Sequence, residues 1–192
     1  MMHKTTATTT LAIVLLGAFA APALAHSGHG SGFAITDGFL HPLHGLDHLL
    51  AMLAVGFWAA QIDTRALWVL PVTFVSAMAL GALAAAVGLA AGGIEAAIVG
   101  SVIVLGAAIA SKIRMPLAVA MGICALFAVA HGQAHGLEIP DGASIAGYFG
   151  GFIGATALLH LAGAALGRLM MRLPLVSRAI GVAISAAGVT LA

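Results

Sequence analysis

Three histidines and an aspartate stand close together in His41-Pro42-Leu43-His44-Gly45-Leu46-Asp47-His48, with Met52 one helical turn further on. Imidazole nitrogen, carboxylate oxygen and thioether sulfur all bind transition metals, and imidazole suits ions such as nickel, copper and zinc. At about 100° per residue, His41, His44, His48 and Met52 fall within a stripe of ~80° on one continuous helix, with Asp47 beside His44 at i+3. The spacing therefore predicts one helix face carrying three imidazoles and a thioether, with Pro42 in the first turn. A second string, His131-Gly132-Gln133-Ala134-His135-Gly136-Leu137-Glu138, ends just before Pro140. A helix continuing through Gly136 would make His131 and His135 i, i+4 neighbours on one side.

Two helices presenting imidazoles and carboxylates at similar depth supply enough N and O ligands for a divalent Ni, Co, Cu or Zn ion. The competing explanation is a set of buried, hydrogen-bonded histidines. Five histidines with Asp47 and Glu138, in a chain with almost no other charge, are hard to explain by packing alone. Asp47 sharpens the point. Its neighbour His48 lies about eight residues into an apolar segment, roughly 12 Å deep. A carboxylate at the centre of a membrane helix costs about 2.5 to 3.5 kcal/mol, so it should face a wet cavity or a cation.

Further donors lie outside the two strings. Glu95 stands in a tight turn between apolar segments, where it is either a ligand at a mouth or a solvated loop residue. His160 falls about 16 residues into its segment, ~24 Å along it, with Thr156 one turn above, and is either on an exit path or a core histidine. His26-Ser27-Gly28-His29-Gly30 offers two imidazoles in a Gly/Ser-rich stretch, either a metal-capturing arm or a disordered tail.

Composition dictates the elements that must hold these groups. Of 192 residues, 62% are hydrophobic and 7% charged, too few to give a water-soluble domain its polar shell. Abundant Gly and Ala suit helices packing closely in lipid. An all-helical polytopic membrane protein follows. The net charge of +1 leaves no basic face for nucleic acid. Cys124, the single cysteine, sits in an apolar stretch and reads as a small core residue, so disulfides and CxxC metal sites are excluded.

Residues 1–25 read as a cleavable signal peptide: His3 and Lys4, then apolar Leu11 to Ala21, then Pro22 before Ala23-Leu24-Ala25. Residues 26–39 form a His/Gly-rich outer segment, and residues 40–192 a domain of six spans. The spans run from Leu40 to Ala60, Ala66 to Ala91, Ile94 to Ser111, Met115 to Ala134, Ser144 to Gly167 and Leu173 to Ala192. With a secreted amino terminus, the inner loops contain Arg65, Lys112, Arg114, Arg168, Arg172 and, just inside span six, Arg178. Asp37, Glu95, Glu138 and Asp141 fall outside. That bias matches the positive-inside rule and places both mature termini in the periplasm of a bacterial inner membrane. Three spans plus three would permit an inverted repeat, but the halves share no convincing sequence match.

Several function classes compete. An intramembrane protease would need a GxSG nucleophile string or HExxH, and neither is present, so an enzyme is not expected. The absence of a GxxxxGK[ST] loop excludes ATP hydrolysis within this chain as a driver. A haem-binding electron carrier would use histidines from two spans as axial ligands. A metal sensor or storage protein would carry the same ligands as a permease and differ only in flux. Sequence leaves the oligomeric state open.

The strings His41-Pro-x-x-Gly45-x-Asp47-His48-x-x-x-Met52 and His131-Gly-x-Ala-His135-Gly-x-Glu138 resemble the HupE/UreJ family, as do the signal peptide, six spans and length. The resemblance covers essentially the whole chain. It implies a permease for nickel, or in some members cobalt, feeding hydrogenase, urease or cobalamin enzymes. It also implies functional roles for His41, Asp47, His48, His135 and Glu138, and likens Glu95 to an acidic position in the family's same loop. The expected activity is uptake of a divalent metal as substrate, with no permanently bound cofactor. The metal ligands expected are His41, His44, Asp47, His48, His131, His135 and Glu138, with His26, His29, Met52, Glu95 and His160 as further candidates.

Overall fold

The computed structural model describes residues 34–113 and 115–192. The expected signal peptide, and His26 and His29 after it, lie outside the described residues. Seven helices follow one another: α1 (Ala34–His44), α2 (Leu46–Ile62), α3 (Ala66–Ala86), α4 (Ile94–Ser111), α5 (Leu117–Leu137), α6 (Ile145–Met170) and α7 (Pro174–Leu191), with no strand among the described residues. Helices α3 to α7 are each long and apolar enough to cross a membrane, and α1 with α2 makes a sixth crossing if that bent pair is one span. The protein is a polytopic helical membrane protein.

Span one is therefore not the continuous helix expected from Leu40 to Ala60. Helices α1 and α2 meet at an angle of 84°. Helix α1 starts at Ala34, which puts Pro42 near its end rather than in a first turn. Having no N–H, Pro42 cannot bond back to the carbonyl of Gly38, and the helix stops two residues later. Gly45, in extended conformation with φ −91° and ψ 116°, makes the corner. A Cβ there would stand 2.8 Å from Asp47 Oδ1 and 3.2 Å from His48 Nδ1, so glycine leaves room for those side chains.

Span two is also shorter than expected, ending at Ala86 rather than Ala91. The chain turns at Gly88 with φ +83°, a conformation that favours glycine. The Gln133 side chain holds the loop after it, accepting from Ala91 N–H at 3.3 Å and donating to the Leu89 carbonyl at 3.4 Å.

Close backbone approach organises the bundle. Helix α3 packs along α5, α2 and α1 along α6, and α4 along α7. A Cβ on Gly132 would collide with the Met78 carbonyl, and one on Gly56 with the His160 carbonyl. Those glycines let α5 settle on α3 and α2 on α6, as small residues do in lipid. Large apolar side chains such as Trp68, Leu80, Leu126 and Leu175 point outward, onto the surface that lipid would cover. Cys124 is fully buried in the core.

The ends of the bundle differ in charge. Gln61 Nε2 donates to Ser177 Oγ at 3.0 Å and to the Ile109 carbonyl at 3.4 Å, which brings the end of α2, the end of α4 and the start of α7 together. Arg65, Lys112, Arg168 and Arg172 lie in or beside the turns at this end, and Arg178 is exposed in the first turns of α7. The opposite end holds Glu95, Glu138 and Asp141.

Candidate metal site

The bend at Gly45 assembles the histidines in a way a single helix face could not. Helix α1 carries His41 across the end of the bundle, while α2 carries Asp47 and His48 down into it. Helix α5 persists to Leu137, so His131 and His135 stand one turn apart, both fully buried. The ring centroids are separated by 4.9 Å for His41 and His135, 4.9 Å for His135 and His48, and 4.7 Å for His48 and His131. The four imidazoles form a row that begins at the acidic end and runs inward. All three contacts are edge-to-face.

Hydrogen bonding fixes how several of these rings are protonated. The Asp47 carboxylate accepts from the His48 backbone N–H at 2.7 Å and from His48 Nδ1–H at 2.9 Å. That leaves the lone pair on His48 Nε2, a buried atom with no partner. Ser101 donates its hydroxyl hydrogen to the Ile98 carbonyl at 2.6 Å, so its oxygen can only accept from His131 Nε2–H at 3.0 Å. The lone pair of His131 is then on Nδ1, again buried and unpartnered. His135 stacks on Phe152 at 4.7 Å, and neither of its ring nitrogens has a partner.

Leaving a buried polar atom unpaired costs about 1–3 kcal/mol. Several such atoms in one row are poorly explained as packing, and each is a nitrogen of a kind that can ligate a metal. The carboxylate–imidazole pair also follows a recurring pattern in metal sites, in which a second group holds one ring nitrogen and so aims the other.

At the mouth, His41 Nε2 lies 2.7 Å from Glu138 Oε2. Ligand atoms of His41, His135 and Glu138 all fall within 4.8 Å of one another, close enough to share one ion. Glu138 lies just past the end of α5, and the hydrogen bond from His41 holds its carboxyl below the ordinary carboxylate range. The pair is 30% and 51% exposed on its two side chains, so it contributes about 0–1 kcal/mol.

The expected residues do not all meet. His44 is exposed at the end of α1, because the break turns it away from the face that His48 occupies. The expected stripe of His41, His44, His48 and Met52 is thus replaced by a corner that excludes His44. Glu95 is exposed in the first turn of α4, apart from the row. Met52 and His160 are fully buried deeper in the bundle. Ser101 and Tyr148 were not anticipated. Ser101 is a buried hydroxyl in an otherwise apolar stretch of α4, and Tyr148, the single tyrosine, stands 5.8 Å from His41 with its hydroxyl unpartnered. A polar group within a lipid-spanning helix was the available signal for each.

Comparison with known proteins agrees with the motifs. The family model described as HupE / UreJ protein matches residues 13–191. Protein HupE of Rhizobium leguminosarum bv. viciae is 40% identical over 184 residues, covering 92% of this chain and 94% of that protein. No solved structure matches the chain. With both motifs inside the matched region and the likeness running nearly end to end, the chain belongs to the HupE/UreJ family.

Proposed function

We propose that this protein is a permease that takes up a divalent transition-metal ion, nickel or cobalt, across the bacterial inner membrane. The observation that carries the reading is the row of imidazoles in which His48, His131 and His135 have buried ring nitrogens without partners. Glu138 and His41 receive the ion at the mouth and begin to replace its water. His135, His48 and His131 then pass it inward, with Asp47 aiming His48, and Met52 and His160 continue the path. The signal peptide and the clustering of Arg and Lys at the far end support an orientation with the mouth and both mature termini in the periplasm. In that orientation residues 26–39 stand outside the membrane, and His26 and His29 capture metal there.

The membrane potential supplies a sufficient driving force. Moving a doubly charged ion inward gains about 4.6 kcal/mol per 100 mV, roughly a thousandfold gradient. Imidazole and carboxylate are ligands firm enough to strip water yet able to release the ion, as conduction requires.

The test is reconstitution of the full mature protein in liposomes with an inside-negative potential, following nickel and cobalt influx. Influx of either metal that Asp47→Ala abolishes is the expected result and ranks the two substrates. Binding without influx in the unmodified protein would overturn the permease and leave a metal sensor or store.

A further inference from the structure

Beyond His131 the row is interrupted by Phe74, whose ring lies 5.6 Å from His131 and 5.1 Å from His160. On its far side is a second group of donors from three helices: Met52 on α2, Met78 on α3, and Thr156 and His160 on α6. All four are fully buried. His160 Nδ1 donates to the Met52 carbonyl at 2.7 Å, which fixes the proton on that nitrogen and leaves a lone pair on Nε2. That Nε2 atom is buried without a partner.

Thr156, one helical turn before His160 and on the same face, has an unusual partner. Ser101, Ser111, Ser185 and Thr190 each donate to a backbone carbonyl. Thr156 Oγ1 instead lies 3.2 Å from Met52 Sδ and 3.8 Å from Met78 Sδ. Two thioethers from different helices are thus gathered around one hydroxyl, beside a histidine with a free ring nitrogen. A thioether is a weak hydrogen-bond acceptor, so the arrangement gains little as hydrogen bonding. As a ligand set it is coherent.

We propose that Met52 Sδ, Met78 Sδ, Thr156 Oγ1 and His160 Nε2 form a second, inner cation site, separated from the outer imidazoles by Phe74. This deepens the metal reading above and rests on it for the route by which an ion arrives. The inner set has no carboxylate. Thioether and imidazole accept borderline and soft transition-metal ions, whereas Mg²⁺ and Ca²⁺ need oxygen ligands, so the site rejects hard cations that pass the mouth. Being uncharged, it also holds its ion more loosely than the outer site, which suits release.

The experiment loads the full-length protein in lipid nanodiscs with Ni²⁺, then measures bound stoichiometry and the nickel X-ray absorption spectrum. At low loading the nickel shell should contain only nitrogen and oxygen. At saturation a further nickel ion per chain should bind and add sulfur scattering, unaffected by excess Mg²⁺. The double variant Met52→Leu/Met78→Leu, which nearly conserves side-chain volume, should lose that further ion and the sulfur signal while keeping the outer ion. A wild-type spectrum free of sulfur at every loading overturns the inner site, whether or not the double variant folds. His135→Ala separates the two readings. If a sulfur-bound ion is the only one in wild type and survives His135→Ala, the inner site stands and the outer one falls. Nickel bound by nitrogen and oxygen alone, and lost in His135→Ala, means the reverse.

Discussion

The Asp47 carboxylate oxygen accepts two hydrogen bonds from the residue that follows it, one from the His48 backbone at 2.7 Å and one from its ring Nδ1 at 2.9 Å. Asp47 thereby sets which nitrogen of His48 is free. Replacing such an orienting group typically lowers metal affinity about 10–100-fold. Asp47→Ala should lower nickel affinity in that range, and Asp47→Asn, which keeps an acceptor but not the charge, should lower it less. Calorimetric titration of the detergent-solubilised protein checks the order. Equal affinity in wild type and Asp47→Ala would remove the orienting role.

Ser101 performs the same task for His131 from another helix. Ser101→Ala leaves the His131 Nε2–H buried without an acceptor, at a cost of about 1–3 kcal/mol. The variant should unfold at a lower temperature than wild type and bind nickel less tightly, because the ring is no longer held with Nδ1 free. Nickel should restore part of the lost thermal stability.

Gly45 combines a corner with a tight fit. Its φ and ψ are open to any L-residue, so the cost of Gly45→Ala is steric: the new Cβ meets Asp47 Oδ1 at 2.8 Å. Gly45→Ala should therefore insert in the membrane at normal levels yet show reduced metal influx. A variant with wild-type influx would show that the Asp47–His48 pair can shift without consequence.

Acid should inhibit uptake through Glu138. The hydrogen bond from His41 holds its carboxyl below the ordinary carboxylate range, so it keeps its charge in mild acid and loses it only as pH falls through that lowered value. Nickel influx measured across a pH series should therefore hold through mild acid and fall only in stronger acid. A loss of influx well above the ordinary carboxylate range would assign the inhibition to another group.

Much of this architecture was legible in the residues. The apolar runs announced the helices, and the i, i+4 spacing of His131 and His135 put both rings on one side of α5. The corner at Gly45 was not legible, because a Gly and a Pro within an apolar run fit a continuous span as well as a broken one. Spacing along one helix consequently grouped His44 with His48, whereas the bend separates them and brings His41 to His135. Ser101 and Met78 were hidden for a different reason. Their partners, His131 and Thr156, are distant in sequence, and only the packing of α3, α4, α5 and α6 brings them together. The asymmetry of basic residues was readable because each cation falls at or near the end of an apolar run.

The arrangement of N–H groups along the row bears on leakage. Relay of protons from ring to ring requires each imidazole to accept on one nitrogen while donating from the other to its neighbour. Here His48 donates sideways to Asp47, His131 to Ser101 and His160 to the Met52 carbonyl. Handing a proton onward would break each of those bonds in turn. The row is accordingly a poor proton wire, and histidines held this way can stand in a membrane without short-circuiting its potential.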